Sequence, residues 1–143
     1  MKEIGVIPAR YASSRFPGKP LVDIKGKSMI QRVYERSLTA VDELFVATDD
    51  ERIYNHVKEF GGEVVMTKKS HESGTDRCAE VVELLPHLKD DDVVINVQGD
   101  EPLIDPLQIQ LLAGLFNDPN TQIGSLVREI AHPIAKHLSL IHI

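Results

Sequence analysis

The chain has 143 residues, of which 42% are hydrophobic and 27% charged, with a net charge of −6. This composition is typical of a globular domain and excludes a disordered or collagen-like chain. The negative charge argues against a broad nucleic-acid or anionic-membrane surface, since both require a basic face. No apolar run approaches the roughly 18 residues of a membrane-spanning helix. The N-terminus has no signal-peptide pattern, and the single Cys78 cannot form an internal disulfide. We therefore expect a cytoplasmic protein without nucleic-acid or membrane partners.

The first elements are predicted to be a strand, a long loop and a helix. Residues 4–7 are apolar and precede Pro8, which indicates a buried strand. Residues 8–27 hold three prolines and two glycines and indicate a loop. Ser28 then opens a helix, and Gln31 three residues later completes a capping-box pattern. The predicted apolar face of this helix consists of Met29, Ile30, Val33, Tyr34 and Leu38.

Strands and helices continue to alternate along the rest of the chain. Residues 44–47 form an apolar strand, and Asp49 or Asp50 is expected to cap a helix that ends at Gly61-Gly62. The later predicted elements are a strand at 63–67, a helix at 74–85, a strand at 93–97, a helix capped by Asp105 and begun by Pro106, and a strand at 123–127. The inward face of that last helix is predicted to consist of Leu107, Leu111, Leu112, Leu115 and Phe116.

This alternation predicts an α/β fold with a mostly parallel sheet flanked by helices. The strands are continuous apolar runs, as expected when both faces of a sheet are covered. Ligands of such sheets bind beyond the carboxyl ends of the strands. Three polar segments follow predicted strands, namely the loop after residue 7, residues 48–50 and residues 98–101. The fold would bring them to one edge of the sheet.

The first loop, Pro-Ala-Arg-Tyr-Ala-Ser-Ser-Arg-Phe-Pro-Gly-Lys-Pro at 8–20, carries cations without any acid. Its small residues allow a ligand to approach the backbone closely. Arg10 and Arg15 could hold phosphate oxygens through paired donors, and Lys19 could act as a point charge. Together they could bind a triphosphate and stabilise the charge of departing pyrophosphate. The alternative is a solvated loop with ordinary surface cations.

Two other segments have the chemistry of a nucleotide site. Asn-Val-Gln-Gly-Asp-Glu-Pro at 96–102 follows a buried strand, so Asp100 could hold Mg²⁺ on phosphate oxygens, with Glu101 a weaker candidate. The alternative is a turn stabilised by Asp100. Ser-Gly-Thr-Asp-Arg at 73–77 begins a helix whose backbone N–H groups suit a base carbonyl or a phosphate. The alternative there is simple helix capping by Ser73 or Thr75.

Taken together, residues 7–21, Ala-Thr-Asp at 47–49, and the segments at 73–77 and 96–102 resemble the 3-deoxy-manno-octulosonate (Kdo) cytidylyltransferases, also called CMP-Kdo synthetases. The resemblance covers roughly residues 1–130. It implies a nucleotide-diphospho-sugar transferase fold, which is Rossmann-like. It also implies the Mg²⁺-dependent reaction of CTP with Kdo to give CMP-Kdo and pyrophosphate, for lipopolysaccharide biosynthesis in the cytoplasm. Members of this family are homodimers.

The resemblance also implies roles for particular residues. Arg10, Lys19 and Asp100 are the expected catalytic residues, with Asp100 as the metal ligand. The expected substrate contacts are Arg10, Arg15 and Lys19 on the triphosphate, Ala9, Gly74 and Arg77 near the cytidine, and Gln98 near the sugar.

The chain departs from this family at its C-terminal end. Family members continue well past residue 143, and their later half carries most sugar contacts, a second metal-binding Asp and the dimer interface. Residues 1–130 are therefore expected to be the nucleotide-binding part of a truncated domain, whereas residues 131–143 read as a tail outside the family. An uncovered apolar face and an exposed sheet edge should result. Two alternatives remain: a non-catalytic CTP-binding fragment, and a cytidylyltransferase for the related sugar acid 8-amino-Kdo.

Overall fold

The computed structural model describes residues 1–12, 16–71, 73–121 and 124, and the backbone of residues 126–129 and 138–141. The strands are β1 (Glu3–Ala9), β2 (Asp23–Ile24), β3 (Lys27–Ser28), β4 (Glu43–Thr48), β5 (Val64–Met66), β6 (Val93–Asn96), β7 (Leu126–Glu129) and β8 (Leu138–Ile141). The α-helices are α1 (Met29–Leu38), α2 (Glu51–Glu59), α3 (Gly74–Leu84) and α4 (Pro106–Gly114). Short 3₁₀ turns span Lys19–Leu21 and Leu115–Asn117.

The central sheet has four strands in the order β5-β4-β1-β6, and every neighbouring pair is parallel. Helices α1, α2 and α3 make the crossovers between consecutive strands of this sheet. One core cluster packs α1, α2 and α4 against one face, with Ile30, Ile53 and Ile109 fully buried. A smaller cluster packs Cys78 and Val81 of α3 against the other face. The α/β class predicted from the sequence is therefore confirmed.

The helix starts follow the local sequence. The side chain of Ser28 accepts a hydrogen bond from the Gln31 N–H, as predicted, but the Gln31 amide donates to Glu35 instead of completing the capping box. Asp50 caps α2 and Asp105 caps α4. Asp49, the other candidate cap for α2, is thereby free to make a different contact, described below.

Strand β1 extends past Pro8, where the sequence suggested that it would end. The Val6 carbonyl accepts from the Val97 N–H. Every second residue of a strand has its peptide groups on the same side, so Pro8, like Val6, faces β6. Strand β6 pairs with β1 only as far as Val6 opposite Asn96. Pro8 therefore lies where an N–H would have no strand partner, and its missing donor removes no ladder bond.

The segment predicted as loop, residues 8–27, contains ordered structure. Strands β2 and β3 form a hairpin in which Ile24 pairs with Lys27 across a two-residue turn. Both turn residues have positive φ, 53° at Lys25 and 94° at Gly26, as a type I′ turn requires. Strands of two residues carry no periodic signal, so the sequence pattern could not show them.

The apolar faces of α1 and α4 differ from the prediction. Leu38 is 48% exposed, and on α4 the buried residues are Ile109, Leu112 and Ala113. The expected core residues Leu107, Leu111 and Leu115 are 56%, 58% and 42% exposed. Helix α4 is apolar on several sides, so its sequence does not determine which side packs inward. These three leucines, spaced four residues apart, form the leucine stripe, the uncovered apolar surface that was expected.

The sheet also leaves an exposed edge among the described residues, since β6 pairs only with β1 and its Val94 is 38% exposed. The strand predicted at 123–127 corresponds in part to β7, which pairs antiparallel with β8 rather than with the central sheet. The assignment of residues 131–143 to a tail outside the family stays a prediction. Among the described residues, no helix has the length and apolar character needed to cross a membrane.

Candidate nucleotide site

The polar segments after β1 and β6 and the start of α3 meet at the carboxyl end of the sheet, where two cavities adjoin. The inner pocket has a volume of about 290 Å³. It is lined by Pro8, Ala9, Arg10, His71, Ser73, Gly74, Thr75, Arg77, Asn96 and Gln98. The loop pocket, also about 290 Å³, is lined by Pro8, Ala9, Arg10, Phe16, Lys19, Pro20, Gln98, Gly99 and Asp100.

The two pockets share Arg10 and Gln98, along with Pro8 and Ala9. Every catalytic, substrate-binding and metal residue implied by the resemblance lines one or both of them, with the exception of Arg15, which lies outside the described residues. Glu101, the weaker metal candidate, lines neither pocket. The fold thus brings together segments that are far apart in the sequence. The binding and catalytic roles of these side chains stay predictions.

Two glycines allow the segments to approach each other closely. A Cβ at Gly74 would lie 3.0 Å from Cγ of Pro8, so a larger residue would push the start of α3 away from β1. A Cβ at Gly99 would lie 3.3 Å from Ile7 and 3.4 Å from the Pro8 carbonyl oxygen. The pocket walls therefore depend on small residues where α3 and the β6 loop pass the end of β1.

Lys19 and Asp100 face each other in the loop pocket. Lys19 Nζ lies 3.6 Å from Asp100 Oδ2, and both side chains are about half exposed. A cation beside a carboxylate is the arrangement that could hold a phosphate and the metal ion that bridges it. The described residues contain no cluster of three or more metal-ligating His, Cys, Asp or Glu side chains. Mg²⁺ commonly binds through one or two carboxylates together with substrate phosphates and water, so Asp100 fits such a site.

Arg77 lines the inner pocket but is engaged with the protein. It is 4% exposed and donates to the Thr67 hydroxyl, to the Lys68 carbonyl at 3.1 Å and to Asp49 Oδ2 at 3.3 Å. These bonds join α3 to the ends of β4 and β5. The guanidinium therefore holds the wall of the pocket, and its expected place near the nucleobase stays a prediction. Ser73 caps α3, which is the simpler alternative considered for this segment.

The polar residues His71 and Asn96 line the inner pocket but were not among the expected site residues. His71 Nε2 lies 2.8 Å from Oε1 of Glu80, which also accepts from the Lys68 N–H. Burial raises the pKa of the Glu80 carboxyl, but the bonds from His71 and Lys68 outweigh this effect and the pKa is lowered. Asn96 has a buried Oδ1 without a hydrogen-bond partner among the described residues. Only the position of Asn96 in the 96–102 segment could have indicated from the sequence that it lines the pocket.

Cys78 takes no part in either pocket. It packs in the core beneath α3, and burial raises the pKa of its thiol to about 12. The thiol is therefore protonated and unreactive at neutral pH, as the helical spacing suggested.

Comparison with known proteins shows the family of the chain. The cytidylyltransferase family matches residues 4–141 of the chain. The chain is 59% identical over 128 residues to 3-deoxy-manno-octulosonate cytidylyltransferase of Parabacteroides distasonis, a match covering 90% of this chain and 50% of that protein. It is 61% identical over 118 residues to 8-amino-3,8-dideoxy-manno-octulosonate cytidylyltransferase of Shewanella putrefaciens, covering 81% of this chain and 48% of that protein.

Solved structures show the same relationship. The CMP:2-keto-3-deoxy-manno-octonic acid synthetase complexed with CTP is 52% identical, with a TM-score of 0.78 over 84% of this chain and 49% of that one. The 4-diphosphocytidyl-2C-methyl-D-erythritol synthase has a TM-score of 0.68 at 15% identity, which shows a shared fold only.

The parallel sheet with paired pockets at its carboxyl edge defines a nucleotidyltransferase-type α/β domain. The chain belongs to the cytidylyltransferase family, and its resemblance to the Kdo cytidylyltransferases is confirmed by relatives more than 50% identical to it. It spans about half the length of the curated relatives that it matches.

Proposed function

We propose that this chain builds the CTP site of an enzyme that transfers CMP from CTP to Kdo, releasing pyrophosphate. The observation that carries the proposal is the junction of the two pockets at Arg10 and Gln98. Both pockets contain Arg10, and the inner pocket also contains His71 and Arg77, whose guanidinium is bonded to the protein. The rest of the inner pocket consists of small or uncharged polar residues, whereas the loop pocket presents a lysine and a carboxylate. This division suits a ligand with a base and ribose at one end and a charged triphosphate at the other.

In the proposed reaction, the anomeric hydroxyl oxygen of Kdo attacks the α-phosphorus of CTP. A new bond forms between that oxygen and phosphorus, the bond between the α-phosphorus and the bridging oxygen breaks, and pyrophosphate leaves with that electron pair. The hydroxyl proton passes to solvent. No covalent enzyme intermediate is needed, so positioning and charge neutralisation supply the catalysis.

The residues that line the two pockets have different roles in this reaction. Lys19 and Arg10 hold phosphate oxygens and neutralise the charge that develops on the leaving group. Gln98, which lines both pockets, would approach the incoming sugar beside the α-phosphate. Asp100 would hold Mg²⁺, which when bound supplies positive charge to the phosphate oxygens. Ala9 and Gly74 leave room for the cytidine. Arg15 is proposed as a further triphosphate contact from the motif alone.

The wider setting of the reaction is also part of the proposal. By its resemblance to the Kdo enzymes, the product CMP-Kdo would enter lipopolysaccharide biosynthesis in the cytoplasm. The complete enzyme would be a homodimer.

Two alternatives rest on specific observations. Because the chain spans about half the length of its relatives, it could bind CTP without turning it over. Because relatives that act on the 8-amino sugar, by their names, are as similar as those named for Kdo, the sugar could be 8-amino-Kdo.

Two measurements on the purified chain distinguish these cases. The first is calorimetric titration with CTP and Mg²⁺, and the second is pyrophosphate release with CTP, Mg²⁺ and either Kdo or 8-amino-Kdo. Release dependent on Kdo supports the full proposal, and release only with the amino sugar identifies the related enzyme. Saturable CTP binding without release identifies the fragment. Absence of CTP binding by a folded chain overturns the proposal.

A further inference from the structure

The first loop is held by a contact from outside the recognised motifs. We propose that Arg52 of α2 is a positioning residue that braces this loop through the ring of Tyr11 and so sets the place of Lys19. The effect on CTP binding rests on the proposed function, but the restraint on the loop does not.

The loop closes on itself at Gly18. The Gly18 N–H donates to the Tyr11 carbonyl at 2.8 Å, and Gly18 has a φ of 74° where the 3₁₀ turn Lys19–Leu21 begins. The Tyr11 ring covers the glycine so closely that a Cβ would lie 2.9 Å from it. Tyr11 therefore determines where the turn starts, and Lys19 is the next residue.

Arg52 packs on the Tyr11 ring. Its Cζ lies 3.3 Å from the Tyr11 ring centroid, the geometry of a cation–π contact. Its guanidinium is fixed beforehand by Asp50, with Nε 3.2 Å from Oδ1 and Nη2 2.8 Å from Oδ2. Asp50 in turn caps α2 through the N–H groups of Arg52 and Ile53. The loop is thus linked through Tyr11, Arg52 and Asp50 to the start of a helix.

This linkage affects the position of Lys19 in the loop pocket. With the turn at Gly18 in this position, the Lys19 ammonium lies 3.6 Å from Asp100 Oδ2. Without the brace, the loop would sample other positions, and binding would have to order it again at a cost in affinity. The pKa of Asp50 is lowered, chiefly by its hydrogen bond from Arg52, so this anchor is ionised at neutral pH.

The test compares Arg52→Ala, Arg52→Lys and the control Lys58→Ala, which removes a cation over Tyr54 on the same helix. Hydrogen exchange of the Gly18 N–H, followed by NMR, reports the loop without any ligand. Calorimetry with CTP and Mg²⁺ reports binding. We expect Arg52→Ala to accelerate Gly18 exchange and to weaken CTP binding about fivefold, the scale of an exposed cation–π contact.

The controls separate positioning from stability. Exchange of the Val46 N–H in the central sheet should be the same in all variants, and Arg52→Lys, which keeps the cation, should recover part of the loss. Lys58→Ala should change neither readout. Unchanged Gly18 exchange in Arg52→Ala overturns the brace. Faster exchange with unchanged CTP affinity overturns its role in positioning.

If the folded wild-type chain does not bind CTP, the proposed function fails, and with it the effect of Arg52 on CTP. Gly18 exchange then decides the brace on its own.

Discussion

Arg77 Nη2 lies 3.3 Å from Asp49 Oδ2, and this largely buried pair joins the start of α3 to the end of β4. Arg77 also donates to Thr67, which follows β5. Three neighbouring elements are therefore connected at the edge of the sheet where the nucleotide would bind. A guanidinium suits this task because its donors point in fixed directions and can serve several acceptors at once.

The first prediction follows from the burial of this pair. Arg77→Ala leaves the Asp49 carboxylate partly buried without its counter-charge, so the free energy of unfolding should fall by about 3 kcal/mol. Urea denaturation measures it. Arg77→Lys keeps the charge but loses the hydrogen bonds to three acceptors. Its free energy of unfolding should therefore lie between those of Arg77→Ala and the wild type. An Arg77→Ala chain of wild-type stability that has lost CTP affinity would instead place the guanidinium on the ligand.

The second prediction concerns Lys19. Lys19→Ala removes a charge from the loop pocket, so CTP affinity should fall about tenfold, as expected for a charge-assisted hydrogen bond. The titration should be compared with Lys89→Ala, which removes an exposed lysine just before β6, at the opposite edge of the sheet. Equal affinity of the Lys19 variant and the wild type would show that the first loop is structural.

The third prediction concerns the metal. Asp100 is 56% exposed, so Asp100→Asn should fold with near wild-type stability. Mg²⁺ should strengthen CTP binding to the wild type and have a much smaller effect on the variant, because an amide is a weaker ligand for this ion than a carboxylate. Titrations with and without Mg²⁺ measure the difference. The same Mg²⁺ dependence in both chains would remove Asp100 from the metal site.

The fourth prediction is a pH dependence. The folded-state pKa of Glu80 is lowered from its ordinary value of 4.5, so the folded chain binds fewer protons there than the unfolded chain. Its contribution to stability is present above the unfolded pKa and is lost as the pH falls through the folded pKa. Urea denaturation between pH 7 and pH 3 should show a smaller acid-induced loss for Glu80→Gln than for the wild type. Glu83→Gln, an exposed residue on the same helix, should follow the wild type.

The fifth prediction concerns the leucine stripe. Leu107 and Leu111 each expose more than half of their surface on one side of α4. Such a patch favours self-association. Sedimentation should therefore show concentration-dependent association of the wild-type chain, and Leu107→Lys with Leu111→Lys should reduce it. Leu84→Lys, at an exposed leucine on α3, is the control. A monomeric wild-type chain at high concentration would contradict the prediction.

Much of the fold could be predicted because the signals are local. Ser28, Asp50 and Asp105 each cap the helix that follows them through bonds spanning two or three residues. Apolar runs such as residues 44–47 form buried strands because a chain of that composition must leave water. The motif residues could be assigned to one edge of the sheet because a parallel topology leaves few other arrangements.

The sequence by itself therefore determined the order and type of the main elements, the helix caps at Ser28 and Asp105, and many of the residues that line the two pockets. Only the tertiary structure decided that Arg77 bonds to Asp49, that Arg52 covers Tyr11, and that Ile109 rather than Leu107 faces the core. The reason is physical. Caps and apolar runs are settled by neighbours within a few residues, whereas an arginine or an all-round apolar helix has several competing partners. Its choice among them depends on which distant segments the completed sheet brings within reach.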